Sequence, residues 1–494
     1  MRLGVLISFL VTISLSGAQY TPTDAIRPPT LMREFRGAWI ATVNNIDWPS
    51  RPGLSTANQQ RELRAIIERA AQLKLNALIF QVRPACDALY PSQLEPWSEY
   101  LSGKMGQPPN PPWDPLKFAI DEAHKRGLEL HAWFNPFRAR YKSPKGLAAK
   151  THISHTHPQL VKHYAGYQWL DPAEPAAQAR SLAVILDVAR RYSVDGIHID
   201  DYFYPYKVRD SKGNLLDFPD DASWKRFRGN LTRGDWRRSH INNFVQRMYA
   251  EIKKVRPTAK VGISPFGIWR PGYPKGIKGL DAYDSLYADA RKWLHNGWLD
   301  YCAPQLYWSI ESTGQSYPKL LKWWVGENRM RRHIWIGNNS AKVEPWKANE
   351  IIDQISLTRQ ETGSTGNIHW NVSALTNDRG GLAGLLKRTA YREPALVPAS
   401  PWLDKSPPAK PQISLKNGRT PDQITISWNN KQTGPIARWI FQMRIKGRWS
   451  TLIFPAKQNS ALMNVTGPTA PDAIALTAMD SAGNTSMPAV YRLK

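Results

Sequence analysis

Cysteine is nearly missing from this chain: Cys86 and Cys302 are the only two among 494 residues. Two thiols cannot build a disulfide framework, and their spacing matches no zinc motif. Both fall at expected strand ends, so two buried free thiols are expected. Long apolar runs are missing too. Beyond the first residues nothing approaches the roughly 20 consecutive apolar residues of a membrane-spanning helix, and no transmembrane segment is expected. No Gly-x-Gly-x-x-Gly follows the first strand, which counts against a doubly wound dinucleotide-binding sheet, and no cofactor is expected. Acidic side chains are scarce, 40 Asp and Glu against 66 Lys and Arg, for a formal net charge of +26. Such an excess implies affinity for polyanions, with anionic envelope polymers the most accessible partner of an exported protein. The basic residues are spread along the chain, without the basic helix or compact basic-aromatic repeat of nucleic-acid binders, and no nucleic-acid partner is expected.

What is present describes a folded, exported protein. Hydrophobic residues make up 42% and charged residues 21%, a globular balance. Residues 1–18 combine one positive charge, a short apolar run and small residues before Gln19, the pattern of a secretory signal peptide cleaved after Ala18. No cysteine lies near that point to carry a lipid. The mature protein is therefore expected in the periplasm or outside the cell.

From residue 33 to about 390, apolar strands alternate with amphipathic helical stretches. Strands are expected at 35–43, 77–82, 128–134, 196–199, 260–263, 301–306, 333–336 and 367–372, each followed by a helix. Eight such units in about 350 residues match a (β/α)8 TIM-type barrel with long loops. Residues 394–411 are Pro-rich and read as a stiff linker. Beyond it, residues 412–494 alternate like antiparallel strands between turns, as in a small all-β fibronectin type III-like sandwich. The fold class is thus α/β, a barrel followed by a sandwich.

The most informative segment is Asp195-Gly-Ile-His-Ile-Asp-Asp-Tyr-Phe-Tyr-Pro-Tyr206. Side chains alternate along a strand, so Ile197 and Ile199 face the helices with Asp201, while His198 and Asp200 face the barrel axis. Asp200 then sits at the carboxyl end of the strand, where barrel enzymes keep their reactive groups. Tyr202, Phe203, Tyr204 and Tyr206 surround it with aromatic faces of the kind that stack on sugar rings. Other strands repeat the pattern. Inward sets Ala77, Ile79, Gln81 and Arg83; His131, Trp133 and Asn135; Ala303, Gln305 and Tyr307; and Asn367, His369 and Asn371 all end in polar or aromatic groups. A purely structural barrel core favours Val, Ile and Leu there. Taken singly, His131 and His198 could be satisfied core histidines, Gln81 and Gln305 could bond backbone, and Trp133, Trp308 and Trp370 could be packing. The cluster His152, His155 and His157 fits no standard ligand spacing, and no metal site is assigned.

Sugar hydrolysis generally requires two carboxylates. Asp200 is one candidate. For its partner, Asp201 and Glu311 rank ahead of Asp87 and Asp47, and the choice stays open. Candidate substrate-binding residues are Gln81, Arg83, Asp87, His131, Trp133, Asn135, His198, Tyr202, Tyr204, Gln305, Tyr307, Trp308, His369 and Trp370. A non-catalytic glycan binder and a polyanion binder are the rival readings.

Specific segments carry a resemblance. Glu34-Phe-Arg-Gly-Ala-Trp-Ile-Ala-Thr-Val, Phe80-Gln-Val-Arg-Pro-Ala-Cys-Asp, His131-Ala-Trp-Phe-Asn-Pro, Gly196-Ile-His-Ile-Asp-Asp-Tyr-Phe-Tyr-Pro, Ile263-Ser-Pro-Phe-Gly and Ala303-Pro-Gln-Leu-Tyr-Trp resemble the glycosyl-hydrolase-like ten family of bacterial exported proteins. The resemblance covers residues 33 to about 388. It implies a barrel glycosidase, with a branch acting on peptidoglycan glycan strands stripped of their stem peptides. It places the family's paired aspartates on Asp200 and Asp201, and its Gln-x-Arg-Pro motif on Gln81 and Arg83.

Overall fold

The computed structural model describes residues 20–144, 146–347, 349–429 and 436–493; the expected signal peptide lies outside them. Eight parallel strands close into a barrel: Phe35–Ile40 (β1), Ala77–Arg83 (β2), Glu129–Phe134 (β3), Gly196–Ile199 (β4), Lys260–Ile263 (β5), Tyr301–Cys302 (β6), His333–Asn338 (β7) and Ser364–His369 (β8). Pairing runs around the ring in chain order, and β8 closes on β1 through Gly366 to Phe35 and Ile368 to Gly37. The sixth stave is shorter than the 301–306 expected. Pro304 has no N–H for a ladder, and Gln305 is joined only by isolated bridges to Phe266 and Gly337.

The helices between staves have legible starts. Thr56–Gln72 (α1) is capped by Ser55, Pro115–His124 (α2) by Asp114 with Pro at its first position, and Arg233–Val255 (α4, after Pro175–Arg191, α3) by Thr232. Each cap accepts a bond from an otherwise unpaired N–H of the first turn. Leu78, Phe80, Val82, Ile197, Ile199, Ile334 and Ile336 point from the staves into the core under these helices.

The barrel interior is aromatic. Phe35 stacks on Trp335 at 3.6 Å and Tyr301 lies 4.3 Å from Trp335. Such rings fit only beside small neighbours. A Cβ on Gly262 would lie 1.8 Å from the Tyr301 ring, and one on Gly196 would lie 2.5 Å from His131. A buried polar chain runs among these rings from Trp39 to Lys260. Trp39 Nε1 can only donate, so His198 Nε2 is the acceptor at 3.1 Å, and burial beside His131 holds His198 neutral. His198 Nδ1–H then donates to the Tyr301 hydroxyl at 3.0 Å. Tyr301 donates to His131 Nδ1 at 2.9 Å, and His131 Nε2 reaches Glu129 at 3.1 Å, itself paired with Lys260 at 3.0 Å.

Among the described residues, those from 31 to 405 with 481–483 form one compact unit, and those in 20–30, 406–480 and 484–493 the other. Residues 394–405 of the Pro-rich stretch belong to the barrel unit. Leu396 accepts from the Glu34 N–H and donates to Met32 O, both at 2.9 Å, and Val397 is buried with the interior rings. The smaller unit holds two antiparallel sheets. One orders Tyr20–Pro22, Ala489–Leu493, Ala473–Asp480, Ile436–Ile445 and Arg448–Pro455; the other orders Gln412–Asn417, Gln423–Asn429 and Ser460–Asn464. Ile426, Trp428, Trp439, Phe441 and Leu476 are buried in their shared core. Cys86 and Cys302 are both buried and free.

Candidate active site

At Ile199 the β4 ladder ends, and with it the alternation of faces. Asp200 and Asp201 follow as irregular chain, and both line one cavity of about 260 Å³ at the carboxyl ends of the strands. The expectation that Asp201 faces the helix layer is thus corrected: a residue beyond its strand is no longer bound by strand parity. Asp200 Oδ2 accepts from Asn135 Nδ2 at 2.6 Å and Oδ1 from the Tyr202 N–H at 3.2 Å. Asp201 Oδ1 accepts from Gln305 Nε2 at 3.0 Å, and its Oδ2 from the Tyr206 hydroxyl. Asn135 is itself aimed by Gln81 Nε2 at 2.6 Å and Arg138 Nη2 at 2.8 Å, both donating to its Oδ1. Gln81 is locked because its Oε1 accepts from the Thr42 and Val43 N–H groups, at 2.8 and 2.9 Å.

The two carboxyls are 5% and 4% exposed. Burial first, and then the Asp201 charge, push Asp200 up to about 7, against the opposing pull of Arg138, Asn135 and the Tyr202 N–H. Burial also raises Asp201, against the donors Tyr206 and Gln305. Two carboxyls sharing one buried site cannot both ionise cheaply, so the pair keeps a proton toward neutral pH. Around them stand Trp39, Trp133, Trp370, Tyr202, Tyr206 and Tyr307. A proton-carrying acid beside an ionised one, inside an aromatic cleft, can protonate a leaving oxygen and stabilise the cation left behind.

A profile of the glycosyl hydrolase-like 10 family matches residues 34–352, which contain all of these groups except Trp370. The chain belongs to the glycosyl hydrolase-like 10 family. Two relatives carry printed names in keeping with it. The glycosyl hydrolase YngK of Bacillus subtilis is 39% identical over 405 residues, 78% of each chain. The glycosyl hydrolase DigH of Escherichia coli K12 is 34% identical over 368 residues, 68% of this chain and 82% of that one. Among solved structures, the catalytic domain of a β-amylase from Paenibacillus polymyxa aligns with a TM-score of 0.48 at 11% identity, over 74% of this chain and 99% of that one.

Of the residues picked out in this glycosyl hydrolase-like chain, the cavity gathers Asp200, Asp201, Gln81, Trp133, Tyr202, Gln305, Tyr307 and Trp370, with Asn135 directly behind Asp200. Others lie elsewhere. Glu311 is 69% exposed and paired with Lys347, away from the cavity wall. Arg83 follows a bulge in β2, where Gln81 faces Trp133 but Arg83 faces Phe134. The extra residue reverses its face, and Arg83 is buried against Glu95, at 2.5 and 2.8 Å, and the Asn135 carbonyl at 2.6 Å. Asp87 is buried where it accepts from the Ala85 N–H at 2.8 Å, and burial pushes it up to about 6. His131 and His198 belong to the polar chain below the cleft. Tyr204 packs on Phe218 and Tyr287, and Trp308 on Phe266, outside the cavity wall.

The inward face expected for β8 is also reversed. The register jumps from Ile334–Ser364 to Trp335–Gly366, so Gly366, Ile368 and Trp370 share the inward side. Asn367 and His369 face the helices. Asn367 donates to Asn338 and Thr358, and His369 bonds Ser340 and Tyr391. A polar network between stave and helices mimics, in sequence, a polar site. Residues missed at the cavity are Trp39, Val43, Ile46, Arg138, Tyr141 and Ser264, whereas Tyr206, read as one of the aromatic faces around Asp200, lines it. Trp39 has the parity of Phe35 on β1, a signal strong enough to find it. Arg138 and Tyr141 come from a loop excursion beyond β3 built on the small sheet Arg138–Arg140, Val161–Tyr164 and Tyr167–Leu170, and no period marks them.

Proposed function

We propose that this chain hydrolyses glycosidic bonds in a cell-envelope glycan, with peptidoglycan strands lacking stem peptides as its substrate. The observation that carries the reading is the pair Asp200 and Asp201, buried side by side in an aromatic cleft with one carboxyl held protonated toward neutral pH. Asp200 serves as the general acid, donating to the oxygen of the departing sugar. Asp201, held by two side-chain donors, stays ionised and stabilises the charge that develops at the sugar ring. A general acid works best with a pKa near the operating pH, and the burial of Asp200 supports that. The relatives' names support hydrolase chemistry over a non-catalytic glycan binder. Export through residues 1–18, attraction of the +26 chain to anionic envelope polymers and a fibronectin type III-like role for the small sheets as a spacer or wall-binding module complete the proposal.

The test is mass analysis of products from intact sacculi and from peptide-free glycan strands, with reducing ends counted. New ends from the peptide-free strands, absent with Asp200→Asn, support the proposal. Binding to both without new ends would replace it with the glycan-binding reading.

A further inference from the structure

The carboxylates of this cleft come from one place. Among the described residues lining the cavity, Asp200 and Asp201 are the only acids, and they are consecutive in the chain. Hydrolysis through an enzyme nucleophile needs one carboxyl beside the leaving oxygen and another across the sugar, about 5 Å away. Among the described residues, no acid stands on the wall opposite this pair. Glu311 is exposed and paired with Lys347, and Asp47, outside this wall, is engaged by the Ala41 N–H and by Ser373.

Instead, the wall holds tryptophans. Trp370 lies 6.3 Å from both Trp39 and Trp133, at interplanar angles of 60° and 70°, so the three rings form a corner. Trp133 is 4% exposed, and its indole N–H is buried without an acceptor. A buried donor left unpaired costs stability, and one that lines a cleft is explained if substrate supplies the acceptor. An acetamido group has the matching parts: a methyl for the tryptophan corner, a carbonyl oxygen for an N–H donor, and an N–H for a carboxylate.

Resting on the glycosidase reading, we infer that the reactive sugar carries a 2-acetamido group seated against Trp39, Trp133 and Trp370, and that its carbonyl oxygen is the nucleophile. Asp200 gives its proton to the leaving oxygen as the C1–O bond breaks. The carbonyl oxygen bonds to C1 and forms an oxazolinium ion, whose N–H is held by the Asp201 carboxylate. Water then adds to C1 and loses a proton to Asp200, while the bond from C1 to the carbonyl oxygen opens. One water is consumed, the acetamido group is restored and configuration at C1 is retained. Trp133 orients the carbonyl.

The test uses the unmodified protein and peptide-free glycan strands that are chemically de-N-acetylated and then re-acylated with acetyl, fluoroacetyl, difluoroacetyl or trifluoroacetyl groups. Fluorine withdraws electrons from the carbonyl, so kcat should fall stepwise, by about a hundredfold or more across the series, the scale of losing one catalytic group. A flat series on cleaved strands would overturn the inference and leave the glycosidase reading intact. Failure to cleave even re-acetylated strands would overturn both. Trp133→Phe keeps an aromatic face and removes the indole N–H together with its five-membered ring; kcat on acetyl strands should drop by roughly tenfold or more, at least the worth of one hydrogen bond. Unchanged kcat would remove Trp133 from the role.

Discussion

Replacing Asp200 with Asn should make the protein slower and, at alkaline pH, more stable. The change keeps the shape of the group and an acceptor for the Asn135 donor at 2.6 Å, but it removes the proton the reaction needs. Loss of one general acid costs about a hundred- to ten-thousandfold in rate, or roughly 3 to 5 kcal/mol of barrier. The stability effect follows from burial. Asp200 titrates near 7 in the folded chain against 3.8 ordinarily. The folded state therefore binds more protons than the unfolded one between about pH 4 and 7, and wild-type stability falls as pH rises through that window. Asn does not ionise and escapes the loss. At pH 4 the two proteins should unfold at similar temperatures. At pH 8 the variant should lead by on the order of a few kcal/mol in the barrel transition. Thermal unfolding at both pH values, with turnover on peptide-free strands, checks both halves. The wild-type rate should also decline above about pH 7 as Asp200 loses its proton. The loop control Asp210→Asn, half-buried and engaged in its own turn, should leave activity and its pH profile in place. Wild-type turnover in the Asp200 variant, or lower stability than wild type at pH 8, would refute the assignment of a buried catalytic acid.

Glu311→Gln should leave kcat within twofold of wild type, because the side chain is solvent-exposed against Lys347; a loss on the scale of Asp200→Asn would put it back in the cleft. Arg83→Met leaves Glu95 buried and unpaired, so denaturant unfolding should show a cost of about 3 to 5 kcal/mol, and a purely kinetic defect in a fully stable variant would contradict its structural placement. Gly262→Ala drives a methyl into the Tyr301 ring and should destabilise by at least about 1 to 3 kcal/mol, with a thermal shift as the readout; unchanged melting would count against the packed aromatic interior. Retention on purified anionic walls should weaken as salt rises, since exposed charges are screened beyond about 10 Å at 0.1 M, whereas salt-insensitive retention would point away from the basic surface.

The barrel was legible because burial imposes a period. Strands such as Gly196–Ile199 and Lys260–Ile263 have the boundaries their apolar runs announce, and caps such as Asp114 mark a helix start through local hydrogen bonding alone. The paired aspartates were legible for a related reason, since a strand that runs straight into two acids has nothing apolar to do with them. The faces were another matter. Parity carries from residue to residue only while the ladder is regular, and it broke at the bulge before Arg83, at the register jump entering β8 and at the end of β4. One extra residue exchanges inside for outside, so Arg83 left the expected site; His369 left it too, while Trp370, already a candidate, proved to hold the inward face of its strand.

By itself, then, the sequence determined the order of the eight barrel strands, the helices between them and the two acids that end the fourth strand, because these follow from local hydrogen bonding and from which side chains tolerate burial. Only the tertiary structure decided which polar residues meet. Asn135 reaches Asp200 across 65 positions and Gln305 reaches Asp201 across 104, while Arg138 arrives from a loop with no period at all. Those encounters are set by closure of the ring, where the register between neighbouring strands chooses the face each residue presents. Register depends on packing between distant segments, such as the Phe35 ring on Trp335, and no local pattern records it.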